Sequence, residues 1–346
     1  MTKLKKYKIA VVGATGNVGR AMLAILAEKG IPLKHVYAVA SDRSIGHEVS
    51  YGEEGTLKVG PLSEFGFENV DIALFSPGGK ISAEFAPKAV AKGCVVIDNT
   101  SHFRNDPDIP LVVPEVNPEA IAGYTKRRII ANPNCSLIQL VMALKPLYDL
   151  VPIKRVVAST YQSVSGAGKN AMDELYNQTR SMYMNNPVQS SYLPRPIAFN
   201  VIPQIGGFRE DSSTEEEWKM NAEMQKILSP NICVSVTCVR VPVFIGHCVA
   251  ANVEFERFLP VEQAYKALEK APGIIVVDKD KESEYVTPIE CAGEDFVYVS
   301  RIRQDFSIAY GLNLWVVADN IRKGAALNAI QIAEILAKDY LSPLKV

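Results

Sequence analysis

The sequence predicts an α/β protein of two domains, a doubly wound parallel sheet followed by an α+β domain with a large mixed sheet. Three observations carry this expectation. A chain of 346 residues is too long for one ordinary core and suits two. Up to about residue 133, short apolar runs alternate with helical stretches, as in a parallel sheet with crossover helices. Beyond about residue 153 the runs lengthen, become β-branched or alternating, and are separated by turns, as in mixed or antiparallel sheets.

Taken in order, IAVVG (9–13) reads as the first strand and 17–29 as an amphipathic helix. VYAVA (36–40), IALF (72–75), VVID (95–98) and RIIAN (128–132) follow as strands, with a helix over 80–92. A helical run over 135–147 opens the second part. There KRVVASTYQ, ICVSVTCVRV, HCVAANVEFE, FVYVSRIR and GLNLWVVA are strand candidates, and 319–340 is helical. The Pro/Ser/Asn-rich stretch 185–206 is too long for an ordinary loop and points to functional or interface packing. The expected boundaries are 1–133 for the first domain, with a C-terminal helix at 319–346 packing back on it, and 134–318 for the second.

Composition removes several classes of function. A formal net charge of −1, with no basic block after the opening KLKKYK, argues against a nucleic-acid surface. That opening reads as solvation for the first strand. No apolar run reaches the roughly 18 residues of a membrane span; residues 135–151 come nearest, and Gln139, Lys145 and Asp149 interrupt them. The N-terminus shows no signal-peptide core. The cysteines at 94, 135, 233, 238, 248 and 291 form no CxxC pair, so reduced thiols, no metal and a cytoplasmic location are expected.

GATGNVG follows the first strand. Gly13 suits a tight turn, Gly16 lets the backbone approach a pyrophosphate, and Gly19 permits close packing of helix on sheet. The spacing is GxxGxxG rather than GxGxxG, and a plain strand–turn–helix could carry it. Its place at the head of a β–α–β pattern favours a Rossmann-like dinucleotide site. After the second strand, Asp42 could accept from a ribose hydroxyl, whereas Arg43 and Ser44 offer a cation and a hydroxyl to a 2′-phosphate. The bland alternative is a solvated turn; the reading favoured here is NADP.

NPNCS (132–136) is the sharpest local signal. A strand ends, Pro133 breaks it, and Cys135 opens an apolar helix, whose N-terminus favours thiolate and can hold an oxyanion. Cys94, Cys233, Cys238 and Cys248 lie in apolar strands and read as core. Among the four histidines, His35 and His47 read as surface and His102 sits in SHFR near a candidate anion contact. His247 begins a strand, where it could serve the thiol and a tetrahedral intermediate or be a hydrogen-bonded structural residue. Arg240 ends an apolar strand, which suggests a carboxylate to capture or an internal salt bridge. Glu216 and Lys219 share a helix face, as in a surface ion pair.

GATGNVG, SDRS, SHFR, NPNCS, YQSVSGAG, EEWK, RVPVFIGH and WVVADNIRKGAA stand in the order of one family. The chain resembles aspartate-β-semialdehyde dehydrogenase, in its bacterial form, over essentially its whole length. The resemblance implies NADPH-dependent reduction of L-aspartyl 4-phosphate to L-aspartate 4-semialdehyde and phosphate, at the branch point towards lysine or diaminopimelate, threonine, methionine and isoleucine. It implies that Cys135 expels phosphate to form a thioester, which hydride converts to a thiohemiacetal and then the aldehyde. Gln162 would position the intermediate, Arg240 bind the substrate carboxylate, His247 act as acid/base and Glu216 read the amine. Arg104, Lys219 and Asn134 would bind phosphate. Thr15, Gly16, Asn17, Val18, Arg43, Ser44, Ser165, Gly166 and Asn320 would contact the cofactor beside Gly13, with Asn320 bringing the C-terminal helix back to the nucleotide domain. The second domain would form a homodimer or a dimer of dimers. One departure is His47, where the family commonly has lysine after RSxG; it bears on the NADP contacts alone.

Two alternatives stand beside this. One is an N-acetyl-γ-glutamyl-phosphate reductase, for which a different cysteine neighbourhood and no RVPVFIGH are expected. The other is a catalytically silent NADP-binding homologue, against which Cys135, Gln162, Arg240 and His247 argue together.

Overall fold

The computed structural model describes residues 3–277 and 285–341. The chain divides into two compact units, one taking in Met1–Pro133 and Ala325–Val346, the other Asn134–Gly324.

In the first unit, β1 (Ile9–Val12) leads through Gly13–Gly16 into α1 (Asn17–Glu28). Then come β2 (Val36–Ala40), β3 (Glu48–Ser50), β4 (Thr56–Pro61), β5 (Ile72–Phe75), α2 (Gly79–Ala91), β6 (Val95–Asp98) and β7 (Ile129–Ala131). Among the described residues these strands form a seven-stranded sheet in the order β3-β4-β2-β1-β5-β6-β7, parallel except for β3. β1, β5 and β6 are buried along their whole length, so they are continuous apolar runs rather than alternating ones. α1 turns Met22, Leu23 and Leu26 onto the sheet. β3 and β4 are missing from the expectation above, because β3 is three residues long with two exposed and β4 alternates at a charged edge. The opening lysines do more than solvate β1, since Leu4 and Tyr7 are buried in the same core.

In the second unit, α3 (Cys135–Tyr148) precedes β8 (Ile153–Gln162), α4 (Lys169–Tyr183), α5 (Glu215–Ile227), β9 (Cys233–Arg240) and β10 (His247–Phe255). α6 (Val261–Glu269), β11 (Ile274–Val276), α7 (Pro288–Cys291), β12 (Val297–Asp305) and β13 (Gly311–Ala318) follow. The described strands make a six-stranded mixed sheet, β11-β12-β13-β10-β8-β9. α3 is buried on every face from Ser136 to Leu144, mostly by apolar residues, as a central helix is. The segment 185–206 is tied to α4: Glu174 accepts from the amides of Ser191, Tyr192 and Leu193, and Gln178 from those of Ile197 and Ala198. Cys233 departs from the core expectation. It opens the edge strand β9 on an exposed position of an alternating pattern.

The chain returns to the first unit through α8 (Leu327–Ile335), whose Leu327, Ile330 and Ile332 join the core of the parallel sheet with the following Leu336. The expected helix at 319–346 therefore begins later: residues 319–321 are a turn closed by Asp319 on the amides of Ile321 and Arg322. Residues 342–346 lie outside those described.

Candidate active site

Register in the mixed sheet assembles the side chains of the second unit. β8 and β9 run parallel with Gln162 beside Arg240, and His247 opens β10 opposite Ala318 of β13. Cys248 pairs with Tyr161, which sets His247 next to the end of β8. Four strand ends thus bring Gln162, Arg240, His247 and the Asp319–Asn320 turn to one edge.

Cys135 is the first residue of α3. Asn134 caps the helix, its Oδ1 accepting from the amides of Ser136 (2.9 Å) and Leu137 (3.3 Å), a bond type that contributes about 1 kcal/mol. Its Nδ2 donates to Glu216 Oε1 (2.7 Å), and its own amide donates to Glu223 Oε2 (2.7 Å). Gly324 closes on the other side, where a Cβ would lie 3.1 Å from that of Cys135. The turn that carries Cys135 is therefore held from both directions.

Glu216 and Glu223 stand in the buried stripe of α5 with Met220, Met224 and Ile227. Glu216 is not one half of a surface ion pair. It is 9% exposed, its Oε1 also accepts from Gln162 Nε2 (3.1 Å), and Lys219 Nζ is 3.9 Å from its Oε2. Thr160 donates to Gln162 Oε1 (3.0 Å), which fixes the amide's orientation.

Arg240 is buried and makes no ion pair among the described residues, so the internal salt bridge is not what holds it. One Nη donates to the carbonyl of Ser163 (2.8 Å). Burial pulls its pKa down, while Glu216 and then Cys135 act the other way. A buried guanidinium lacking a carboxylate is arranged to receive an anion. His247 is fully buried, and its Nδ1 accepts from the Ser163 amide at 3.0 Å. Desolvation, and secondarily Arg240, push its pKa down to about 3. Its Nε2 is buried without a partner among the described residues. At Gly166 a Cβ would lie 3.0 Å from Arg240 Nη1 and 3.1 Å from His247 Nε2, so glycine leaves both open.

Four other thiols are buried. Burial pushes the thiols of Cys94, Cys248 and Cys291 up to about 12, and that of Cys238 up as well. Among the described residues no cluster of potential metal ligands occurs.

Ser165 and Asn320 bond to each other, Asn320 Nδ2 donating to Ser165 Oγ at 3.0 Å, and Asn320 lies in the turn after β13 rather than on the C-terminal helix. Ser163 and Glu223 are site residues that the motifs did not single out. Glu223 was legible as a second carboxylate seven residues after Glu216 on the apolar face.

The first unit holds a separate cleft of about 400 Å³ at the carboxyl ends of β1, β2 and β5, lined by Gly13, Thr15, Gly16, Asp42, Arg43 and Ser63 among others. This is where strand order reverses in an open parallel sheet. Gly13 adopts φ 89°, and a Cβ there would strike the Ser76 carbonyl at 2.7 Å. A Cβ on Gly19 would come 2.1 Å from the Gly13 carbonyl. Gly16 stands at the N-cap of α1 without a side-chain cap, and the first turn carries no acidic residue, as suits an anion site at a helix start. Asn17 and Val18 form that turn. Asp42 already accepts from Ser63 (2.7 Å), Ser44 lies 3.5 Å from Thr15, and exposed Arg43 has no partner among the described residues. The cradle fits a dinucleotide. Arg104, also in this unit, is buried and donates to the carbonyl of Asn99 (2.8 Å).

Comparison with known proteins agrees. Residues 8–124 match the model of the semialdehyde dehydrogenase NAD binding domain, and residues 144–323 that of the semialdehyde dehydrogenase dimerisation domain. An aspartate-semialdehyde dehydrogenase of Rickettsia bellii is 51% identical over 337 residues, 97% of this chain and 99% of the relative. The crystal structure of aspartate semialdehyde dehydrogenase II of Vibrio cholerae, complexed with ASA, is 50% identical. Its TM-score is 0.94, with 97% of this chain and 99% of that one covered. The Candida albicans enzyme, solved with NADP, is 26% identical with a TM-score of 0.74, covering 97% and 99%.

Proposed function

The chain belongs to the aspartate-semialdehyde dehydrogenase family, and on that premise we propose that it reduces L-aspartyl 4-phosphate to L-aspartate 4-semialdehyde with NADPH, through a thioester on Cys135. The observation that carries this is the buried guanidinium of Arg240, which makes no ion pair among the described residues, in the same cluster as Cys135. A nucleophile beside a fixed anion receptor suits an acyl substrate that carries its own carboxylate.

Cys135 attacks the acyl carbon as thiolate, favoured by the start of α3 and by the positive charge of Arg240. Phosphate leaves with the electron pair of its C–O bond. Arg240 holds the α-carboxylate, Glu216 faces the amine, and Gln162 orients the acyl group. His247 serves the oxygen of the tetrahedral species. Arg104 and Lys219, with Asn134, would bind phosphate, although Asn134 also caps α3. The cofactor supplies hydride when bound. Gly13, Thr15, Gly16, Asn17 and Val18 would hold its pyrophosphate, and Arg43 with Ser44 the 2′-phosphate that favours NADP over NAD. Ser165, Gly166 and Asn320 are assigned to the nicotinamide end.

The boundaries 1–133 and 134–318, a homodimer and a cytoplasmic location belong to the same reading. Free cysteines and the absence, among the described residues, of a helix fit to cross a membrane support the last of these. Purified protein should turn over NADP with L-aspartate semialdehyde only when phosphate is present, with at most one NADP reduced per site in its absence. Equal activity with N-acetyl-glutamate semialdehyde, or none with either, would falsify the assignment.

A further inference from the structure

We propose that Asp42, clasped by Ser63, is a specificity residue that lets the nucleotide cleft accept NAD as well as NADP, by offering its carboxylate to a free ribose 2′-hydroxyl. The proposal rests on the cofactor reading above and deepens it. Arg43 and Ser44 suit the cofactor that carries a 2′-phosphate, and Asp42 suits the one that lacks it.

The clasp follows from strand register. β2 and β4 run parallel, with Ala38 beside Val59 and Ala40 beside Pro61. Two residues further along each chain, the same register brings Asp42 to Ser63, whose hydroxyl donates to Asp42 Oδ1 at 2.7 Å. The backbone of the turn is fixed as well. The Ser44 amide donates to the carbonyl of Ser41 at 2.8 Å, and the Ile45 amide to that of Asp42 at 3.1 Å. Asp42 is thus held at its backbone and at one oxygen, while Oδ2 makes no hydrogen bond among the described residues. Asp42 and Ser63 both line the cleft at the carboxyl ends of β1 and β2, so this oxygen belongs to the place where a dinucleotide's adenosine ribose is read.

Arg43 lines the same cleft, and among the described residues neither it nor Asp42 makes an ion pair. Two adjacent opposite charges therefore remain available to a ligand, and they act in opposite senses. On a 2′-phosphate, attraction to Arg43 is offset by repulsion from Asp42. A neutral 2′-hydroxyl meets no such repulsion and can donate to the carboxylate, a hydrogen bond to a charged acceptor. In a site built for phosphate alone, a tethered carboxylate costs affinity and contributes nothing. The apolar part of the lining, Leu62, Pro77, Ile81 and Phe85, suits an adenine ring. Adenine is common to both dinucleotides, so discrimination falls to the 2′ position.

Fluorescence titration of the ligand-free enzyme with NADH and with NADPH tests this without turnover. The wild-type protein should bind both, with NADPH favoured by less than about a hundredfold. Asp42→Ala should weaken NADH about tenfold and tighten NADPH about threefold, so that the preference widens by more than about tenfold. Asp42→Asn removes the charge and keeps an acceptor; it should tighten NADPH equally and weaken NADH less. Ser63→Ala keeps the charge and releases the clasp, and should weaken NADH about threefold with NADPH within about twofold. A wild-type preference above about a thousandfold, or a ratio in Asp42→Ala within about twofold of wild type, overturns the proposal. A lowered thermal midpoint in Asp42→Ala with an unchanged ratio overturns it too, leaving the pair a loop clasp only. Binding of neither dinucleotide overturns it together with the cofactor reading. Binding of both in these ratios, without turnover of aspartate semialdehyde, supports it and strikes the substrate assignment alone.

Discussion

In the unit built on the parallel sheet, the cleft is shaped by side chains that are missing; in the other unit, the cluster is shaped by polar side chains that are buried. In the proposed reading Gly13, Gly16 and Gly19 clear space for a turn, a phosphate and a helix, and the backbone at the start of α1 would receive the phosphate. Around Cys135 the proposed recognition groups are Gln162, Glu216, Arg240 and His247, each 9% exposed or less and most oriented by a specific partner. A site made from backbone tolerates the loss of a side chain and fails when an atom is added. A site made from buried side chains fails when an atom is removed.

The sharpest test of that contrast is Cys135→Ala, which deletes one sulfur. It should reduce turnover by at least about thousandfold while leaving the thermal midpoint within a few degrees. Next is Arg240→Lys, which keeps the charge and loses the fork. It should cost about a hundredfold in kcat/KM, mostly through the KM for the semialdehyde. In the nucleotide unit the informative change adds a methyl. Gly19→Ala sets a Cβ against the Gly13 carbonyl and should destabilise the protein by about 1–3 kcal/mol in chemical denaturation, with weaker NADP binding. The smallest effect is expected from Arg43→Ala, where an exposed cation is removed. The preference for NADP over NAD should fall about tenfold, read from the two kcat/KM values. A collapse of all activity in Arg43→Ala, or indifference to Gly19→Ala, would break the contrast.

The two halves also differed in how much the sequence disclosed. The cofactor cleft was legible because its logic is local: glycines at fixed offsets after an apolar strand record what the backbone must do. Cys135 was legible for the same reason, as a strand end, a proline and a helix start in five residues. Ser163 was not, since its importance comes from cross-strand register, which puts residues 163, 247 and 320 within hydrogen-bond reach and leaves no periodic trace. For Glu216, spacing alone leaves a surface pair with Lys219 open, because it does not say which helix face is buried. The apolar neighbours Met220 and Met224 carried that information. Cys233 was misread in the opposite direction, because β9 is an edge strand with one face in solvent.

The account centres on Cys135 as the acyl acceptor. Enzyme incubated with L-aspartate semialdehyde and NADP in the absence of phosphate should accumulate the thioester, and peptide mass spectrometry after acid quench should place one aspartyl adduct on the peptide holding Cys135. An adduct on the peptide of Cys238 or any other cysteine, with Cys135 unmodified, would contradict it.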